Sequence, residues 1–396
     1  MQAVSRARPL FELGLDICAF VFLPLLVLAA RGAAPLVAVA GLCALGIAAP
    51  VGALAWRRVR GLAALFAAVV LWGLASALWA IDPARSMLIA LRLLGMFAAG
   101  LALIAAAPEI RAPTRLTRCL FAGFVLALAL AIVQYRTGGA LTGPFMRRGF
   151  IQPQLNNIED GFGMVLPPLC TALWLRRQRW LAVPLAVATV AMICLLVGDA
   201  ARIAFFLGLA AALPLYFWRA TLARLAVAVA VVLTLAAPLV FPPLAGIAAV
   251  RHEAQSLKSS VWHRLAIWSF VGGRIAEKPA FGWGLDSSRA IPGGDRPIPE
   301  GYPWQTLLPL HPHNAPLQLW LELGVPGAVL FALVAAAVWR ALGAAAWPRP
   351  YAAAAGASLV TGLVVGLGSY GVWQEWWIST QFLTLFLILV MARTAA

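Results

Sequence analysis

The residues best suited to chemistry in this sequence lie close together, in the stretch HPHNAPLQLWLELGVPG that runs from His311 to Gly327. Histidine has an unperturbed pKa of ~6.5, so it can take up or release a proton near neutral pH. Asn314 is a favourable N-cap and Pro316 fits a first helical turn, so the spacing predicts that a helix begins here. We therefore expect His313, directly before the N-cap, to be catalytic, with His311 as the competing choice.

A polar stripe follows on the same predicted helix. At 100° per residue, Asn314, Gln318 and Glu322 fall within ~80° of one another and descend ~12 Å from the helix start. An acid at that depth in an apolar helix usually faces a bundle interior or a cavity and marks a functional site. The sequence therefore predicts substrate-binding roles for His311, Asn314, Gln318 and Glu322. The alternative is a polar contact between helices with a capped histidine.

Two arginine motifs lie upstream. In VWHRLAIW, residues 261–268, Arg264 has the planar fork that grips two phosphate oxygens, and Trp268 follows one helical turn later. In GDAAR, residues 198–202, Arg202 lies in a first helical turn, where a cation is unfavourable unless an anion also binds. These patterns predict phosphate binding by both arginines and a substrate contact by Trp268. The alternative for Arg264 is a place on the solvent-exposed face of an interfacial helix. The alternative for Arg202 is an ion pair with Asp199 that caps the helix.

A further polar cluster precedes a predicted span, with MRRGF at 146–150 and PQLNNIED at 153–160. We predict that Arg147, Arg148 and Asn157 bind substrate, through its phosphates or its sugars. A fringe of side chains that contacts lipid headgroups explains the same residues equally well.

The composition indicates which elements must position these residues. Of 396 residues, 63% are hydrophobic and 11% are charged, and the mean hydropathy is +0.90. Soluble domains carry ~25% charged residues, so a soluble enzyme, a secreted disulfide-linked module and a disordered chain are excluded. We predict an all-α polytopic membrane protein with about twelve transmembrane helices. They lie near residues 10–30, 34–55, 62–80, 87–107, 118–135, 160–175, 180–198, 201–218, 225–241, 314–339, 352–370 and 376–392.

The connectors between these spans predict the orientation. Arginines are concentrated in alternate short connectors, from Arg6 and Arg8 to Arg393. By the positive-inside rule, both termini are then cytoplasmic in a multi-pass membrane protein. The long segment 242–313 falls on the opposite side and contains all four histidines of the chain.

This topology divides the chain into three parts. We predict transmembrane helices 1–9 in residues 1–241, a periplasmic catalytic loop in residues 242–313, and transmembrane helices 10–12 in residues 314–396. The first half of the loop is expected to be helical, over 244–259 and 260–277. Its second half is rich in proline and glycine and is expected to be irregular.

The charge distribution and the absence of several sequence motifs limit the classes of reaction that this protein can catalyse. The net charge of +16 is spread in small clusters between apolar runs, so membrane topology explains it better than nucleic-acid binding does. The sequence has no phosphate-binding loop, no Asp-x-Asp pair, no HExxH and no GxSxG, and we predict neither a metal nor a cofactor. Arginine and histidine on the outer side suit a preactivated lipid pyrophosphate, whose leaving group needs anion stabilisation.

The stretch from His311 to Gly327 resembles the signature H-x-H-N-x-x-L-x-x-x-x-E-x-G-x-x-G of the O-antigen ligase and polymerase superfamily. The run R-x-x-I-W at 264–268 is also similar, as are Pro279 and the Gly-Trp-Gly at 282–284. The layout of twelve spans with one large loop before the signature is similar too. As motifs, the resemblance covers about residues 199–327.

The resemblance implies a helical bundle like that of the GT-C glycosyltransferases, in the bacterial inner membrane. It implies an enzyme that transfers a glycan, without metal, from undecaprenyl pyrophosphate to a sugar hydroxyl of lipid A–core, with membrane lipids around it. The family's essential histidine matches His313, and its essential arginines match Arg264 and Arg202. Within the superfamily, an O-antigen polymerase or a protein O-oligosaccharyltransferase uses the same donor. The small size and the lack of a soluble C-terminal domain favour the ligase over the oligosaccharyltransferase.

A lipid transporter or flippase is the alternative from another functional class. Charges within the predicted spans are few besides Glu322, Arg92 and the pair Glu12 and Asp16, and a transport path usually needs more. The internal symmetry of many transporters is not evident here.

Overall fold

The computed structural model describes residues 2–145, 152–257, 259–298 and 305–395. Within these ranges the chain forms α-helices joined by short 3₁₀ turns, without a β-strand. The helices are α1 (Gln2–Ala29), α2 (Ala33–Ala48), α3 (Ala53–Ser76), α4 (Pro83–Ala106), α5 (Pro113–Arg136), α6 (Asn156–Leu175), α7 (Arg179–Leu195), α8 (Asp199–Leu235), α9 (Ala237–Val240), α10 (Ala248–Leu257), α11 (Ser259–Glu277), α12 (Ala315–Ala344), α13 (Arg349–Gly368) and α14 (Glu375–Ala395).

Eight helical stretches in the described residues are long and apolar enough to cross a membrane. This confirms the prediction of an all-α polytopic membrane protein. The predicted segments lie on helices. Those near 10–30 and 34–55 correspond to α1 and α2, which are joined by a short 3₁₀ turn and pack against each other. The segment near 201–218 forms the first half of α8, and the segment near 225–241 covers the end of α8 and α9. Helix α8 is broken at Trp218, where φ is −124° and ψ is 35°.

The bundle is built around α8 and α12, which pack against each other, while α13 covers α8 and α6. A second group pairs α1 with α5 and α2 with α4, and α14 connects the two groups through contacts with α4 and α6. A large buried apolar cluster fills the space between these helices. Local signals fix the helix starts: at α4, the Asp82 side chain accepts a hydrogen bond from the Arg85 amide, and Pro83 takes the first helical position.

Helix α12 changes direction at Gly324, which has φ +63°. Pro326 has no N–H, and the Val325 amide donates to the Pro279 carbonyl at 3.2 Å, so two carbonyls of the preceding turn lose their helical donors. The chain before α12 replaces those donors. The Trp283 amide donates to the Leu321 carbonyl at 2.9 Å, and the Gly284 amide donates to the Glu322 carbonyl at 2.8 Å.

Two glycines allow this backbone-to-backbone contact. Gly282 has φ +68°, and a Cβ there would lie 2.5 Å from the backbone of Glu322. A Cβ on Gly324 would clash with the Ala280 carbonyl. Gly282 and Gly324, which both belong to the sequence motif, are therefore needed where residues 279–284 cross the break in α12.

The segment 242–313 follows the predicted division into a helical and an irregular half. Its helices are α10 and α11, so the expected ranges 244–259 and 260–277 begin a few residues early for α10 and fit α11 closely. Beyond Glu277 the described residues form turns and a single antiparallel bridge between Pro297 and Thr306. An apolar cluster then joins this segment to the start of α12; it contains Ile267, Val271, Ile275, Ile291, Leu308, Leu317 and Leu321.

Candidate active site

The turn His311-Pro312-His313-Asn314 leads into α12. The Asn314 side chain accepts a hydrogen bond from the Leu317 amide at 3.0 Å, so Asn314 is the predicted N-cap. His313 has φ +52°, in the left-handed region that a residue with a side chain rarely adopts. Surrounding contacts must hold such a conformation, and strain of this kind is concentrated at functional sites.

The ring of His313 is held by a backbone carbonyl. Its Nδ1 lies 2.5 Å from the Ser369 carbonyl oxygen, which can only accept, so Nδ1 carries the proton and donates. In the neutral ring, Nε2 then has a free lone pair. Among the described residues, no hydrogen-bond partner occupies Nε2 of His313. This is the arrangement of an oriented general base.

His311 has a different setting. It is buried, its Nδ1 accepts from the His313 amide at 3.2 Å, and its Nε2 faces the Gln374 side-chain amide at 3.2 Å. The two imidazole rings contact each other, with centroids 4.3 Å apart. In this arrangement His311 shapes the turn that presents His313, and it offers no open ring nitrogen to a substrate.

Burial keeps both histidines neutral. It lowers the pKa of His313 to about 4; the Ser369 carbonyl opposes this effect, and the nearby charges of Arg264 and His263 add to it. Burial also lowers the pKa of His311 to about 3, helped by His313 and Arg289. His313 is therefore a proton acceptor over the whole physiological pH range.

Further along α12, Glu322 is fully buried and surrounded by donors. The Asp286 amide and the Trp373 indole each donate to Oε2 at 2.6 Å. Gln318 donates to Oε1 at 3.0 Å, and the Ser288 hydroxyl and amide donate to the same oxygen. These partners take up both carboxylate oxygens. In this arrangement Glu322 and Gln318 hold protein groups, and neither is turned toward open space as a sugar contact requires.

Sequence analysis did not single out the connector between α13 and α14, residues 369–374. The Ser369 carbonyl holds His313, the Val372 amide donates to Gln318 Oε1 at 2.9 Å, and Trp373 contacts Glu322. The Tyr370 hydroxyl donates to Asp160 of α6 at 2.6 Å. The signal in the sequence was the polar and aromatic run SYGVWQEWW between two apolar spans.

Arg264 projects from α11 toward the same region. It is partly buried, and its Nε lacks a hydrogen-bond partner in the described structure. Burial lowers the pKa of its guanidinium, and the charge of Asp199 opposes this. The charge of Arg264 also contributes to the lowered pKa of His313. A buried guanidinium nitrogen without an acceptor is suited to an anion.

Arg202 lies near the start of α8 as predicted, but protein groups hold it. It pairs with Asp199 at 3.8 Å and donates to the Leu196 carbonyl and, at 3.4 Å, to the Ile193 carbonyl. The capping pair is therefore present. The side chain is one-third exposed, so it keeps donors for a ligand at this end of the bundle.

Trp268 connects α11 to the histidine turn. Its indole donates to the Pro312 carbonyl at 3.0 Å, between the two histidines, and its ring packs edge-on against Phe241. On the preceding turn, His263 Nε2 lies 2.9 Å from the Thr306 carbonyl. With its only polar group engaged, Trp268 positions the turn that carries His313.

Comparison with known proteins identifies the segment that contains this site. Residues 184–332 match the sequence model of the family described as O-antigen ligase. The resemblance to the O-antigen ligase family is thereby confirmed. Arg202, Arg264, His313 and Glu322 all lie in the segment that matches, whereas the connector 369–374 lies outside it.

Provisionally named polysaccharide ligases of three Rickettsia species are similar to this chain. The protein of Rickettsia conorii is 38% identical over 136 residues, which is 34% of this chain and 33% of that protein. Those of Rickettsia felis and Rickettsia bellii are 35% and 36% identical over the same shares. The chain thus matches about a third of the length of these curated relatives.

Of the other predicted O-antigen ligase site residues, Arg147 and Arg148 lie outside the described residues. Asn157 is half-buried at the second position of α6. Within the described ranges, no group of three or more His, Cys, Asp and Glu side chains is placed to hold a metal ion.

An apolar cavity of about 220 Å³ opens beside the site, between α8, α12, α13 and α14. Ala315 and Pro316 line it at the start of α12, and Tyr370 and Val372 of the connector line it next to His313. Its walls continue down these helices as far as Ile388 of α14. An apolar chain can therefore lie against the bundle while its polar end reaches the histidine turn.

Proposed function

We propose that this protein is an O-antigen ligase, which transfers O-antigen polysaccharide from undecaprenyl pyrophosphate to a sugar hydroxyl of lipid A–core. The match to the family and the named relatives support a function within the O-antigen ligase and polymerase family. One observation carries the finer proposal: among the described residues, His313 has an oriented Nε2 without a partner, and Arg264, whose charge acts on His313, has a buried Nε without an acceptor. A base beside an anion site is what this transfer requires.

In the proposed reaction, the acceptor hydroxyl attacks the anomeric carbon of the donor. Its proton passes to Nε2 of His313, the new C–O bond forms, and the bond to the pyrophosphate oxygen breaks with inversion. The electron pair stays on the lipid pyrophosphate. Arg264 and Arg202 stabilise that negative charge, so no metal is needed. Trp268, His311, Gln318 and Glu322 keep the histidine turn in place.

The proposed topology has twelve crossings in a GT-C-like bundle, with both termini cytoplasmic and the site periplasmic. It divides the chain into residues 1–241, the loop 242–313 and residues 314–396, as the sequence predicts. Side-chain contacts support a common side for the termini, because Arg8 donates to the Glu109 carbonyl and Arg393 donates to the Ala107 and Ile110 carbonyls. The connector 107–112 thus contacts helices from both ends of the chain.

Reconstitution tests the proposal. The purified protein is mixed with undecaprenyl-pyrophosphate-linked O-antigen and lipid A–core in one reaction, and with donor alone in another. We expect glycosylated lipid A–core in the first reaction and no chain extension in the second. Extension of the glycan with donor alone makes the protein a polymerase. Movement of intact donor across a vesicle membrane without a new glycosidic bond makes it a transporter.

A further inference from the structure

The first turn of α6 carries buried oxygen atoms that lack well-aligned hydrogen-bond partners among the described residues. Glu159 is 1% exposed, and neither of its carboxylate oxygens has a well-aligned donor there. The amide oxygen of Asn156 and Oδ1 of Asp160 also lack donors. A buried acceptor without a donor destabilises a folded protein, and a charged one does so most. A buried polar group without a partner indicates a catalytic role or a bound ligand, ion or water.

Two of these side chains converge on the start of α8. A Cβ on Gly198 would clash with Oε2 of Glu159 and would lie 3.1 Å from Oδ1 of Asn156. The Gly198 amide and the charge of Arg202 act on Glu159 electrostatically, without a well-aligned hydrogen bond. Because position 198 has no side chain, Oε2 of Glu159 lies directly against the backbone of Gly198, one helical turn before Arg202.

The buried atoms without hydrogen-bond partners in this part of the molecule are donors on one side and acceptors on the other. Arg264 Nε and Asn314 Nδ2, on α11 and at the start of α12, are donors that lack acceptors. Asn156 and Glu159, on α6, present acceptors that lack donors. The charge of Asp199 acts on both Arg264 and Glu159. A pyrophosphate has only acceptor oxygens and can satisfy the first group alone.

We propose that Asn156 and Glu159 form a sugar-binding subsite, where they accept hydrogen bonds from hydroxyl groups of the sugar attached to the pyrophosphate. This inference rests on the proposed function. Sugar hydroxyls supply the missing donors, and their attachment to the pyrophosphate places them beside Arg202. The subsite would fix the anomeric carbon relative to the attacking hydroxyl.

The test uses Glu159→Gln in the full-length protein in nanodiscs, with two probes. One probe is the undecaprenyl-pyrophosphate-linked glycan, and the other is undecaprenyl pyrophosphate without sugar. We expect the variant to bind the glycan-linked lipid about 10-fold more weakly, the effect of losing one or two hydrogen bonds to a buried acceptor. Both proteins should bind the sugar-free lipid equally. Glu375→Gln is the matched control, because Glu375 is exposed and pairs with Arg92, and it should match the wild type with both probes.

Stability separates a binding role from a structural one. Since Glu159 has no hydrogen bond to lose, we expect the ligand-free thermal midpoint of Glu159→Gln to equal or exceed that of the wild type. A midpoint lower by several degrees would assign Glu159 to the fold and overturn the subsite. Gly198→Ala, which fills the gap above Glu159, should reproduce the selective loss of glycan binding.

The remaining outcomes separate the subsite from the proposed function. If the wild type transfers glycan and Glu159→Gln binds both probes normally, the subsite is wrong and the function stands. If the wild type transfers nothing but Glu159→Gln selectively loses the glycan-linked probe, the subsite stands and the function fails. Equal weakening with both probes would place Glu159 at the pyrophosphate and overturn the sugar assignment. A divalent-cation requirement for glycan binding would overturn it as well.

Discussion

The two ends of the polar stripe on α12 differ in how their hydrogen bonds are satisfied. Glu322, at the deep end, has donors on both carboxylate oxygens from four other residues. At the shallow end, Nδ2 of Asn314 is buried without an acceptor, and His313 leaves Nε2 open. We therefore expect the deep end to stabilise the fold and the shallow end to bind a ligand. On this helix, a polar residue indicates a binding site only where the protein leaves the hydrogen bonds of that residue unsatisfied.

The largest effect is expected at the shallow end, from His313→Ala. A general base contributes ~10²–10⁴-fold to rate, so transfer should fall to a trace while the protein still inserts and folds. His311→Ala should leave a measurable rate, because His311 supports the turn through its ring nitrogens. His252→Ala is the control, since His252 is exposed on α10 and should keep full activity. The opposite ranking of the two buried histidines would reverse our assignment.

The second-largest loss of transfer activity is expected from substitutions of Arg264. Arg264→Lys keeps the charge but loses the planar fork, and Arg264→Ala loses both. We expect transfer to fall ~10²-fold or more in each variant, the typical loss for one group that stabilises developing charge. Arg202→Ala should fall less, because protein carbonyls already engage part of its guanidinium. Arg274→Ala, on the same helix but paired with Glu277, controls for charge. Near-normal transfer by Arg264→Ala would mean that Arg264 is only a cation on an interfacial helix, without a role in the reaction.

At the deep end, substitution of Glu322 should lower the free energy of unfolding. Glu322→Gln turns an amide donor toward groups that are themselves donors, so we expect a loss of about 2–4 kcal/mol in folding free energy. Thermal unfolding in detergent measures this, with Glu277→Gln as a surface control. Activity per folded molecule should fall far less than in His313→Ala. A fully stable but inactive Glu322→Gln would move Glu322 into the reaction and erase the contrast between the two ends.

A smaller effect concerns pH. With the pKa of His313 lowered to about 4, kcat/KM should show no inflection near ~6.5 and should decline only as pH approaches 4. Between these values the unfolded chain binds protons that the folded protein does not, so stability should fall as pH falls from ~6.5 toward 4. A pH–rate profile and thermal unfolding across this range check both statements. An inflection near 6.5 in the rate would mean that water reaches the ring in the working enzyme.

The smallest expected effect is that of metal removal. Because Arg264 and Arg202 supply the positive charge at the proposed anion site, transfer should proceed at its full rate in EDTA. Activity that disappears in EDTA and returns with magnesium or manganese would contradict the arginine-only account. The matched comparison is Arg264→Ala with added magnesium, which should not recover activity.

Much of the helical architecture could be predicted because its signals are local. Apolar runs of span length, the Asn314 cap with Pro316, and the helical pattern of 260–277 all act within a few residues. The predicted spans near 10–30 and 34–55 match α1 and α2, and the predicted span that ends at 218 matches the break at Trp218. Hydropathy does not report that the chain stays helical beyond this break, so that α8 runs to Leu235. Glycines 282 and 324 were visible as a motif, but their purpose depends on two backbones meeting across the break in α12.

The candidate site divides in the same way. The sequence by itself determined which residues share a helix face, since 3.6 residues per turn place Asn314, Gln318 and Glu322 together wherever the helix lies. The tertiary structure decided what each of them touches. His313 receives its orientation from Ser369, and Glu322 receives donors from Ser288 and Trp373, all distant in sequence. A hydrogen bond requires two groups within about 3 Å at a suitable angle. Only the packing of helices brings residues so far apart in the chain to that distance.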